Sequence, residues 1–393
     1  MVRFELPQWM NPYGFHCTAT PISLKESPVT LSRIAIDRIE VSTYKVPTDL
    51  PESDGTLEWN STTLVVVRSY AGNEHGLGYT YANQATATLI QELLSEVVKG
   101  RDAMAPVSSW NAMVSRTRNL GRPGIVSMGI SAVDIALWDL KARLLNLPLI
   151  TLLGAMREAV PIYGSGGFTS YSDAQLQRQF AGWVEQGFMY VKMKIGRDQA
   201  ADVRRVGIAR ATIGPDVQLF VDANGAYSRK QALEQAERFV EMDVRWFEEP
   251  VSSDDLAGLR LLRDRGPAGM DIAAGEYGYD AGYFRQMLAA GAVDVLQADA
   301  TRCGGITGFL QAAALCESHH IPLSAHTAPC VHTHLGCAVT PLRHLEYFHD
   351  HVRIESMFFD GALSPRKGQL SPDLSRPGMG IELKHADAQR FAA

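Results

Sequence analysis

The chain has 393 residues, 46% of them hydrophobic and 20% charged, with a formal net charge of −6. That length exceeds one small domain and the composition is that of a soluble globular protein. The absence of a basic excess argues against nucleic acid as a partner, and no apolar run reaches the roughly 18–20 residues of a membrane span.

Residues 1–32 are rich in proline and aromatic residues, without strand or helix period, and read as an irregular N-terminal arm. The start MVRFELPQWMNPYGF lacks the basic head and apolar run of a signal peptide. Cys17, Cys303, Cys316, Cys330 and Cys337 form no CxxC pair and no even framework, so a reducing cytoplasm is the expected location.

From residue 33 the pattern becomes β-branched. Segments 33–45 and 61–69 read as strands, separated by the polar loop PTDLPESDGTLEWN. Segments 83–98 and 125–146 carry apolar residues at helical spacing, among them Ile130, Val133, Ala136 and Leu140. Residues 33–158 are therefore expected to form an α+β capping domain.

Over 159–354 eight short apolar runs alternate with helical patterns: VPIYGS, MYVKMKIG, VQLFVDAN, VRWFEEP, MDIAAGE, VDVLQADA, IPLSAH and RHLEYF. Each run but the last leads into a helix; Ser228 and Gln231 form a capping box at the start of one. Continuous apolar strands alternating with helices specify a parallel sheet, and eight units close into a (β/α)₈ TIM barrel. An open doubly wound sheet would carry GxGxxG after its first strand, which is absent. The expected fold class is thus α/β, a modified barrel with an α+β N-terminal cap. Residues 355–393 hold no further βα unit and are expected to return to the cap.

The strand ends carry the chemistry. Lys192 and Lys194, Asp222, Glu248, Glu276, Asp299, His326 and Glu346 follow one another at intervals of roughly 20–30 residues, one βα repeat each, so all face the same barrel mouth. Any single carboxylate there could be a helix cap. Three on consecutive strands repel one another unless a cation lies between them, and three oxygen ligands suit Mg²⁺, with Mn²⁺ as an alternative. Lys192 and Lys194, two apart on a strand, point inward together, and each ammonium beside another cation and near a metal is expected to have a lowered pKa. Asp299 on the strand beside His326 would fix its tautomer. A zinc set of His326, Cys330, His332 and His334 has suggestive spacing, but such close ligands would distort strand end and helix. His349 and His351 read as surface or subunit-contact residues, and Ser165 in YGSGGF does not fit GxSxG.

This ordered series resembles the enolase superfamily, specifically its mandelate racemase-like branch (the mandelate racemase/muconate lactonizing enzyme family), over about residues 33–385. The carrying motifs are VKMKIG, VDANGAY, WFEEP, AAGE, ADATRCGGITG, SAHT and HLE. The resemblance implies Mg²⁺ held by Asp222, Glu248 and Glu276, with Glu249 contacting the ligands rather than the ion. It implies Lys194 as base on one face of the substrate and His326, oriented by Asp299, as acid or base on the other. Lys192 would meet the substrate carboxylate and a protonated Glu346 would bond its oxygen, while Asn224 also contacts substrate. The shared chemistry is removal of a proton α to a carboxylate through an ene-diolate. The loop residues Glu52, Ser53, Asp54, Thr56, Glu58 and Trp59 suit a polyhydroxylated substrate, with Asp54 and Trp59 the substrate contacts. Dehydration of an acid sugar (aldonate or aldarate) is the expected reaction. Racemisation or epimerisation of a 2-hydroxy acid is the alternative, and a catalytically silent binding barrel the alternative of another class. A small carboxylate and further copies of the chain, as a homo-oligomer, are the expected partners.

Overall fold

The computed structural model describes residues 33–393; the N-terminal arm, with Cys17, lies outside them. The chain begins with an antiparallel sheet in the order β1 (Arg38–Ser53), β2 (Glu58–Ala71), β3 (Glu74–Tyr81). The expected polar loop is mostly strand. Pro47 pairs with Ser61, the register then slips, and pairing resumes at Glu52 with Trp59, leaving only residues 54–57 as the turn. Pro47 and Pro51 cannot donate to a ladder, which explains both the slip and the misleading sequence pattern. An edge strand such as β1 tolerates them.

The strand β3 was hidden by its glycines, which strand propensity disfavours. They are there because the helix Ile125–Leu144 lies directly on the strand: a Cβ on Gly78 would sit 2.2 Å from the carbonyl oxygen of Ala132. That helix is buried along most of its length, with Ile130, Val133, Ala136 and Leu140 fully covered.

Eight parallel strands follow: β4 (Val160–Gly166), β5 (Tyr190–Lys194), β6 (Gln218–Asp222), β7 (Val244–Glu248), β8 (Asp271–Ala274), β9 (Val295–Ala298), β10 (Leu323–Ala325) and β11 (Leu342–Phe348). They hydrogen-bond in sequence order, and β11 closes on β4 with Glu346 opposite Tyr163. The barrel interior is packed by Tyr163, Phe220, Trp246, Ala273 and Val295. The helix Arg229–Val240 starts with the predicted capping box of Ser228 and Gln231.

One expectation at the end of the barrel is corrected. The last strand does lead into a helix, His349–Phe358, whose buried face is His351, Ile354, Glu355 and Phe358. The spacing is helical, but a histidine and a glutamate on the buried face masked the apolar period. The remaining chain runs back to the N-terminal sheet: Pro148 bridges Gly378, and the amide of Ala393 donates to Thr43 O at 3.0 Å. Cys303, Cys316, Cys330 and Cys337 are buried free thiols, and no helix among the described residues is long and apolar enough to cross a membrane.

Asp139 fastens this return. Its carboxylate accepts from Leu77 N at 2.8 Å, Met379 N at 2.6 Å and Arg143 Nε at 2.8 Å, all buried. Asp139→Ala leaves two buried amides without their acceptor and takes the Nε partner from Arg143, which keeps Glu382 and Ile381 O. It is expected to cost about 3–5 kcal/mol, read as a fall in the urea midpoint.

Candidate active site and metal centre

The strand register builds the site. Lys194 on β5 pairs with Asp222 on β6, and Asp222 with Glu248 on β7, so three charged side chains stand side by side. Glu276 lies just past β8. Ligand oxygens of Asp222, Glu248 and Glu276 all fall within 4.8 Å of one another, and all three residues are buried.

The lysines lie among these carboxylates. Lys192 Nζ is 2.6 Å from Glu248 Oε1, 2.9 Å from Glu346 Oε1 and 3.6 Å from Asp222 Oδ2. Lys194 Nζ donates to Asp222 Oδ2. Burial pulls Lys194 down, but the Asp222 carboxylate beside it outweighs that and leaves it above the ordinary lysine range. Lys192 is raised in the same way by Glu248 and Glu346. The sequence showed the two ammonium groups near each other; it did not show that each has a carboxylate nearer still.

Glu346 feels opposing influences. Burial favours its neutral form, yet Lys192 and then His326 hold it down at about 2. Glu249, with φ 37°, is buried, and burial together with Glu276 and Asp222 pushes it well above the usual carboxylate range. It stands outside the three-carboxylate group.

Across the mouth, His326 Nδ1 lies 2.8 Å from Asp299 Oδ2, while Thr301 N and Oγ1 donate to Asp299 Oδ1 at 2.7 and 2.8 Å. His326 Nε2 is 3.2 Å from Glu276 Oε2 and 3.5 Å from Glu346 Oε2. Burial lowers the imidazole, but Glu276 and Glu346 raise it to about 9, so it is an imidazolium near neutrality. The zinc reading fails. His332 is taken up by Ala300 N and Thr327 O, and His334 reaches Met379 O.

A cavity of about 400 Å³ opens above these groups, lined by Lys194, Asn224, Glu276, His326 and Glu346 from the barrel side. Lys192, Asp222, Glu248 and Asp299 do not line it. Asn224, at φ 45°, anchors to Asp222 through its amide and leaves its buried Oδ1 without a partner. From the cap, Asp54 and Trp59 reach the cavity. The rest of that loop does not: Glu52 and Ser53 are buried, with Glu52 accepting from Trp59 Nε1 at 2.8 Å, whereas Thr56 and Glu58 are exposed.

Several lining residues escaped sequence reading, Tyr81, His351 and Arg302 among them. Tyr81 ends the unrecognised β3. His351 is buried against Tyr81, with ring centroids 3.4 Å apart, rather than on the surface. Arg302 donates to Glu276 O at 3.1 Å and lies 3.7 Å from Asp299 Oδ2. Its position three residues after Asp299 was the one available signal.

The carboxylates fit a divalent cation. Burial and then the neighbouring Asp222 push Glu248 up to about 8 even though Lys192 opposes it, so these carboxylates oppose one another's ionisation. All ligand atoms are oxygen, which suits Mg²⁺.

The profile described as mandelate racemase/muconate lactonizing enzyme, N-terminal domain, matches residues 38–154, and that described as enolase C-terminal domain-like matches 175–388. A mandelate racemase/muconate lactonizing enzyme-like protein from Rubrobacter xylanophilus superposes with a TM-score of 0.90 at 53% identity, over 91% of this chain and 100% of that one. The 3,6-anhydro-alpha-L-galactonate cycloisomerase of Streptomyces coelicolor is 32% identical over 91% of this chain and 99% of its own length. L-talarate/galactarate dehydratase from Salmonella typhimurium, solved with Mg and L-lyxarohydroxamate, gives a TM-score of 0.85 at 27% identity, covering 95% and 97%. The chain belongs to the mandelate racemase/muconate lactonizing enzyme family of the enolase superfamily.

Proposed function

We propose that this protein is a Mg²⁺-dependent acid-sugar dehydratase. It removes the proton on C2, next to the carboxylate, and expels the C3 hydroxyl as water, leaving an enol that becomes the 2-keto-3-deoxy acid. One observation carries the reading: an amine and an Asp299-oriented imidazolium face the same cavity beside three converging buried carboxylates.

Mg²⁺ held by Asp222, Glu248 and Glu276 supplies Lewis-acid stabilisation of the negative charge that develops on the substrate carboxylate. The protein's own groups do the rest. Lys194 Nζ is the base for the C2 proton. Its partner in the structure, Asp222, is one of the residues that would hold the cation, and a positive charge there would favour the neutral, basic amine. His326 donates from Nε2 to the departing C3 oxygen, because Asp299 holds Nδ1. Lys192 is fully buried and stabilises Glu248 and Glu346 rather than lining the cavity. Glu346, ionised, supports the charge on His326, and Asn224 offers its free Oδ1 to a substrate hydroxyl.

A second reading is favoured by the cycloisomerase that is similar over 99% of its length. If the C3 oxygen belongs to an internal ring, the same elimination opens the ring and loses no water, giving an isomer. A panel of aldonates, aldarates and anhydro-aldonates, assayed for 2-keto product, separates the readings. Absence of product throughout, with α-proton exchange in D₂O on a simple 2-hydroxy acid, would overturn dehydration in favour of racemisation.

A further inference from the structure

Outside the catalytic mouth, one other group of ligating side chains converges among the described residues. A carboxylate oxygen of Asp49, one of Glu52 and a ring nitrogen of His349 all lie within 4.8 Å of one another. The two acids come from the second half of β1, and His349 opens the helix His349–Phe358, so the group joins the cap to the end of the barrel. None of the three lines the active-site cavity.

Asp49 and His349 form the outer part. The ring Nε2 stands 3.0 and 3.2 Å from the two Asp49 oxygens, and the side chains are 42% and 28% exposed, which leaves that side open to water. Glu52 forms the inner part and is fully buried. Trp59 Nε1 donates to its Oε2 at 2.8 Å, while Oε1 has no partner. Burial, then the charges of Asp350 and Asp49, push this acid up to about 9. The guanidinium of Arg353 opposes them weakly, since it donates to Asp350 Oδ1 and to Pro47 O, both at 2.6 Å. An ion pair explains Asp49 and His349. It does not explain a buried acid with an open oxygen beside them. A cation accounts for all three, because it replaces the proton on Glu52 and offsets the carboxylates that oppose its ionisation.

We infer that Asp49, Glu52 and His349 form a second divalent-cation site, which takes Zn²⁺ and clips the cavity-lining turn of the cap to the barrel. The donor set selects the ion. Two carboxylate oxygens and an imidazole suit Zn²⁺, whereas the all-oxygen catalytic group suits Mg²⁺. Ligand atoms around a tetrahedral Zn²⁺ stand roughly 3.3–3.6 Å apart, and Asp49 and His349 are already about that close. Water from the open side completes the set. The clip reaches the active site through Glu52. Its Oε2 holds Trp59, which lines the cavity and packs edge-on against Phe168 of the barrel, ring centroids 5.8 Å apart. Fixing Glu52 therefore fixes Trp59.

The test titrates Zn²⁺ into the protein by calorimetry in excess Mg²⁺. The parent is expected to take up one Zn²⁺ that Glu276→Gln keeps, and that His349→Ala and Glu52→Gln each bind at least ~100-fold more weakly. His349 is partly exposed, so its truncation remains informative if the buried Glu52→Gln fails to fold. The clip is read by tryptophan emission, which Zn²⁺ should shift in the parent and not in Trp59→Phe. Uptake that Glu276→Gln abolishes and His349→Ala retains would assign the ion to the catalytic carboxylates and overturn the inference. Absence of uptake overturns it as well, leaving Asp49 and His349 as an ion pair. Uptake at this site without a change in emission overturns the clip.

Discussion

His326→Asn is expected to reduce dehydration by about 10³–10⁴-fold while leaving exchange of the C2 proton with D₂O measurable. The two outcomes separate because the steps use different groups. Loss of the C2 proton is assigned to Lys194, and departure of the C3 oxygen to the imidazolium. Asparagine keeps a donor near Asp299 but has no proton to give. Lys194→Ala should remove both exchange and turnover by a comparable factor, while Asp299→Asn, which acts through His326, should have a smaller effect and lower the pH at which activity declines. The sign follows from the contacts: Asp299 favours the charged imidazole, so its loss lets the proton leave at lower pH. NMR of the substrate in D₂O, beside a 2-keto assay, reads all three. Equal loss of exchange and dehydration in His326→Asn would move the C2 proton from Lys194 to His326.

The second large effect is on the metal. Chelation should bring turnover to background, and Mg²⁺ or Mn²⁺ should restore it. Because the carboxylates are already within 4.8 Å of one another and buried, the binding site is largely preformed. Mg²⁺ at a hundred times its dissociation constant is then expected to stabilise the fold by about 2.7 kcal/mol, visible as a raised melting temperature. Glu276→Gln should abolish that shift at the same Mg²⁺ concentration. It also removes a charge that faces both His326 and Arg302, so the apo variant should differ from the parent even without metal. A full Mg²⁺ shift in Glu276→Gln would exclude this residue as a ligand.

These charged strand ends were legible in the sequence because a (β/α)₈ repeat converts even spacing into a common face. Asp222, Glu248 and Glu276 needed only the strand periods to be brought together. Their protonation was not legible, since it depends on which partner is nearer by an ångström. Lys194 lies closer to Asp222 than to any cation, and Glu346 shares Lys192 with Glu248. The cap was harder still. Gly76 and Gly78 concealed β3, prolines concealed the second half of β1, and a buried His351 resembled a surface residue. In each case a tertiary contact overrode local propensity.

The return of residues 378–393 to the N-terminal sheet has a kinetic consequence. Thr43 leaves the ribosome long before its partner Ala393, and the Asp139 carboxylate long before its donor Met379. Such sequence-distant closure is slow. Until it occurs, β1 presents an unpaired edge and the barrel strands are already searching for neighbours. The nascent chain is therefore most exposed to aggregation before residues 378–393 emerge.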